Sequence, residues 1–139
     1  MDKVWLWIRS VVGLALAVTA INLVHSAGEA LFPDAYAGID SDADRVVLLL
    51  VAVLAGTIAS FVLGAIARHR LWLHMGLLLL LMLAIDIAAL FGPLAAEPLW
   101  LKVLVIATLP LQVWIGGRLA LLTWSDGRSA SAGASETLG

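Results

Sequence analysis

Asn22, His25, Ser26 and Glu29 stand at i, i+3, i+4 and i+7 of one apolar run, so on a helix their side chains share a face, and Thr19 extends that stripe by a turn. An imidazole and a carboxylate one turn apart can hold and pass on a proton, or offer two ligands to a cation. At a rise of about 1.5 Å per residue, His25 lies roughly 6 Å deeper than Glu29, and Asn22 roughly 10 Å deeper. A second carboxylate, Asp86, is the one charged residue inside another apolar run, five positions before Phe91. In antiparallel runs Asp86 and His25 come to similar depths. Ionisable groups within a membrane face the bundle interior and pair with one another. The expected arrangement is therefore a polar cluster with His25, Glu29 and Asp86 at its centre and Asn22 and Ser26 in support. Lys102 enters a further run from the same side, placed to neutralise Glu29 or Asp86, and Gln112 lies near the middle of that run. Pro110 deprives the Ile106 carbonyl of its usual donor there.

The elements that must position these residues are membrane helices. Of 139 residues, 63% are hydrophobic and 13% charged, with a mean hydropathy of +1.05, whereas soluble domains carry about 45–50% apolar and about 25% charged residues. So short a chain cannot hide that much apolar surface in a water-soluble core. Four apolar runs, at about residues 5–32, 46–67, 71–91 and 99–122, each exceed the roughly 20 residues that cross a hydrocarbon core about 30 Å thick. They predict an all-α membrane protein, a single domain over residues 1–124 with four antiparallel transmembrane helices in an up-down bundle. A signal peptide is the lesser reading of the first run: Lys3 and Arg9 precede an apolar stretch with small residues at "VTA" (residues 18–20), but Trp5 and Trp7 lie ahead of Arg9 and the run continues well past that point.

The joints are "PDAYAGIDSDADR", a polar loop with Pro33 and Gly38; "RHR", a tight basic turn; and "GPLAAEP", with Gly92, Pro93 and Pro98 as breakers. Residues 125–139 are small, polar and aperiodic, and are expected to be a disordered tail. Positive charge marks the cytoplasmic side. With both termini inside, Lys3, Arg9, Arg68, Arg70, Arg118 and Arg128 face the cytoplasm and only Arg45 and Lys102 lie outside, six against two. That predicts an N-in, C-in orientation, with Trp5, Trp7, Trp72, Trp100 and Trp124 as interfacial anchors.

Ala52, Gly56, Ser60 and Gly64 recur every four residues along the second run. In lipid, close backbone approach across small residues supplies the packing that the hydrophobic effect does not. This ladder is a helix-packing face, turned either to the monomer's own helices or to a second copy. Asp40, Asp42 and Asp44 have the spacing that opens a calcium loop, but Arg45 and Val51 stand where glycine and glutamate are required. The better reading is a helix start, with Ser41 as N-cap and Asp44 completing a capping box.

The absence of cysteine excludes disulfides and thiolate chemistry, and a net charge of −2 without a basic patch does not suggest a nucleic-acid partner, so none is expected. No nucleophile motif or phosphate loop points to an enzyme. His25, Glu29 and Asp86 lack a fourth ligand for a metal site, and His74, at the other end of its helix, cannot oppose His25 across a haem iron. No metal, cofactor or catalytic residue is assigned.

"GEALFP" (28–33), "EPLW" (97–100) and "LPLQVWIGGRLA" (109–120) resemble a family of small bacterial four-helix membrane proteins of unknown function. That family carries GHxxYP at the end of the first helix, an acidic loop, PLW entering the fourth helix, and LP followed by a GARLA-like ending. The likeness spans most of residues 10–120. Glu29 stands where the family has histidine and Phe32 where it has tyrosine. The resemblance implies the fold and the bacterial membrane, and no activity.

The leading functional expectation is a small integral membrane component acting through helix packing, as an accessory subunit of a larger complex or a homo-oligomer, with its polar cluster near the outer face. The rival is a small proton-coupled or solute transporter using Glu29, Asp86 and His25, and a metal-dependent membrane enzyme is a third. The lipid bilayer is the partner common to all.

Overall fold

The computed structural model describes the backbone of residues 3–37 and 41–136, and side chains within 4–123 other than those of 38–40 and 69. Gly38, Asp40 and the side chains of Lys3, Trp124 and Arg128 lie outside the described residues. The regular structure among the described residues is all helical: α1 (Lys3–Leu31), a short α2 (Pro33–Ala37), α3 (Asp42–Ile66), a 3₁₀ turn (Arg68–Arg70), α4 (Leu71–Leu90) and α5 (Leu99–Glu136). Four segments, Val4–Leu31, Asp42–Ile66, Leu71–Leu90 and Leu99–Thr123, are long and apolar enough to cross a membrane.

Local chemistry explains where these helices start and stop. α3 begins at Asp42, earlier than hydropathy alone predicts, because Ser41 caps it. The Asp44 amide donates to Ser41 Oγ at 3.2 Å and the Asp44 carboxylate accepts from the Ser41 amide at 3.1 Å. Part of the expected first loop is the helix α2, which opens on Pro33, a residue whose fixed φ and missing N–H suit a first helical position, and carries Asp34 in its first turn. α5 runs through Pro110 and on to Glu136, beyond the expected boundary at 122.

α3 is the hub, packed against α1, α2, α4 and α5. Its small-residue ladder lies against α5: Gly56, Ser60 and Gly64 are buried, and Ala52 is half-buried. A Cβ added to Gly64 would come within 2.7 Å of Ala120 Cβ, and one added to Gly116 within 2.5 Å of the Thr57 carbonyl oxygen. The ladder is thus covered within the chain. Ala59, Leu63, Leu71, Met75, Leu78 and Val113 form the centre of the core, while Leu23, Leu77, Leu80 and Leu122 are exposed. A helix apolar all round with a largely uncovered surface suits hydrocarbon as its solvent.

Candidate functional site

A cavity of about 110 Å³ opens where α1, α3, α4 and α5 meet. His25 reaches it from α1, Asp86 from α4, and Thr108 and Gln112 from α5, while Ala52, Ala55 and Gly56 of α3 form one wall. Small residues on α3 make the room; the polar residues come from the helices around it.

His25 is half-buried, and its Nδ1 lies 3.4 Å from the Tyr36 hydroxyl, a long contact. Tyr36 can approach because position 28 is glycine: a Cβ there would come within 2.8 Å of both the Tyr36 hydroxyl and Val51 Cγ1. Burial raises the Tyr36 phenol above its ordinary 10.0, and the negative charge of Glu29 adds to the rise. Asp86 is half-buried and makes no hydrogen bond or ion pair among the described residues. Gln112 is 2% exposed. Its Nε2 donates to Thr108 Oγ1 at 3.0 Å, and its Oε1 has no hydrogen-bond partner among the described residues.

Of the residues expected to cluster, the structure brings together His25, Asp86 and Gln112. It does not bring in the other four. Asn22, Ser26 and Glu29 are exposed and do not line the cavity, and Asn22 Nδ2 donates back to the Val18 carbonyl at 3.2 Å. Lys102 neutralises neither carboxylate; its Nζ donates to the Ala95 carbonyl at 2.7 Å and closes the turn before α5. No group of three or more His, Cys, Asp or Glu side chains placed to hold a metal is present among the described residues.

Sequence reasoning missed three side chains. Tyr36, which contacts His25, sits in a segment read as loop, and its only signal was being the single tyrosine. Arg45 meets Glu97 at 2.7 Å and Asp42 at 3.1 Å, tying the start of α3 to the connection between α4 and α5. His74, 6% exposed, has Nδ1 2.8 Å from the Arg70 carbonyl and Nε2 2.7 Å from Ser10 Oγ, linking α4 to α1. No family model, curated protein or solved structure matches the chain, so its function is read from this geometry.

Proposed function

We propose that the protein is a small multi-pass carrier of a bacterial inner membrane, an up-down bundle with both termini cytoplasmic, in which Asp86 and His25 form a proton-exchanging site. The observation that carries this reading is that Asp86, with no partner among the described residues, faces the same cavity as His25. Polar groups that merely fix helix register satisfy one another; these face shared space. A carboxyl and an imidazole around one cavity hold a proton that a small solute can exchange against, and the Tyr36 hydroxyl beside His25 leads towards the end of α1. The six basic residues at one end of the bundle against two at the other support the orientation. The small-residue ladder, spent within the chain, is not the surface of an oligomer in this reading.

The test is labelling with a membrane-soluble carbodiimide, which attacks protonated carboxyls, in proteoliposomes with peptide mass spectrometry. Asp86 is modified, increasingly as the pH falls, and His25→Ala alters that pH dependence. A carboxyl inert at every pH, or a profile untouched by His25→Ala, overturns the reading.

A further inference from the structure

The polar atoms of the cavity are mismatched in a way that points to a ligand. The Thr108 hydroxyl donates to the Val105 carbonyl at 3.1 Å, so towards Gln112 it can only accept, which it does from Nε2 at 3.0 Å. In this arrangement Nε2 is held by Thr108, and Oε1 lies buried against Gly56 with no hydrogen-bond partner among the described residues. Asp86 adds a carboxylate, also an acceptor when ionised, and neutral His25 can offer a ring nitrogen. The site therefore presents acceptors and one negative charge. Ile21, Ala55, Met82, Ile85 and Leu109 make the rest of the wall apolar.

Acceptors call for a donor, and a carboxylate calls for a positive charge. A bare metal ion would find too few oxygens, since hard divalent cations take about six or more. An alkylammonium head has three N–H donors for three acceptors, and a short alkyl tail suits the apolar wall. At about 110 Å³ the cavity is smaller than the roughly 150 Å³ that holds benzene, which limits the guest to a few non-hydrogen atoms.

We propose that this cavity binds a small primary ammonium ion, its head between Asp86 and Gln112 Oε1 and its alkyl group on the apolar wall. The inference rests on the reading of Asp86 as a proton-exchanging carboxyl and names what exchanges against the proton. Protonated Asp86 and an alkylammonium ion give the ion-paired carboxylate and one released proton, so atoms and charge balance.

The experiment is isothermal titration of the full chain in nanodiscs with ethylammonium chloride, beside tetramethylammonium, which has the charge without donors, and ethanol, which has a donor without the charge. Ethylammonium binds saturably with proton release, and the two controls do not bind. Gln112→Met and Asp86→Asn each weaken binding by about tenfold or more. Ala52→Val, which keeps every polar group and narrows the cavity, weakens it as well and keeps the test sound where Gln112→Met does not fold. Absent saturation, equal binding of tetramethylammonium, or affinity unchanged in Gln112→Met and Ala52→Val overturns the proposal. Carbodiimide labelling of the same samples separates the two levels. Labelled Asp86 without ethylammonium binding refutes the ammonium site and leaves the proton site standing; unlabelled Asp86 refutes both.

Discussion

Gly56 of α3 leaves open the space that the Gln112 amide of α5 occupies: a Cβ on Gly56 would overlap Gln112 Oε1 and come within 2.6 Å of Met82 Cε. The packing ladder and the polar site are therefore one feature. Gly56→Ala must push a buried amide off its Thr108 partner, with an expected cost of about 1–3 kcal/mol from overpacking. Reversible unfolding in mixed micelles measures it, and the same substitution narrows the cavity.

Ser10→Ala removes a hydroxyl that reaches His74 Nε2 at 2.7 Å from another helix. The expected loss is about 1 kcal/mol, the net worth of one such hydrogen bond. Thermal unfolding checks it, and carbodiimide labelling of Asp86 is unchanged, because His74 does not line the cavity.

The single tyrosine makes Tyr36 directly readable by ultraviolet titration. Its phenol ionises above 10.0 in the folded protein, chiefly through burial, and Glu29→Gln lowers that value part of the way. The linkage has a definite sign. Below the ordinary value the phenol is neutral in folded and unfolded chains alike; above it the unfolded chain ionises first, so stability falls as pH rises through the raised folded value.

Arg45 joins Glu97 and Asp42 at the head of α3. Glu97→Gln removes the inter-element partner, and the expected outcome is a lower unfolding temperature. A double-mutant cycle with Arg45→Met isolates the coupling, which is smaller at high salt.

The spans were legible because hydropathy over twenty residues needs no knowledge of neighbours, and the start of α3 because a capping box is local. The rotation of α1 was not. His25 and its stripe partners Asn22, Ser26 and Glu29 span an arc wide enough that only His25 turns inward when α3 is the main neighbour. Periodicity specifies which residues share a face, and packing decides which edge of that face is covered. Gln112 was visible as a polar residue at mid-span, but the direction of its amide depends on Thr108 and Gly56, a contact across two helices. Lys102 was assigned to a carboxylate on charge alone, and a carbonyl seven residues away in sequence lay within closer reach.

Infrared difference spectroscopy of Asp86 in nanodiscs, with bulk pH as the variable, tests the central claim most directly. The account predicts a carboxyl band that appears and disappears reversibly with pH, is absent from Asp86→Asn and moves in His25→Ala. An Asp86 signal that ignores bulk pH, or that is indifferent to His25→Ala, contradicts it and makes the cluster a static part of the packing.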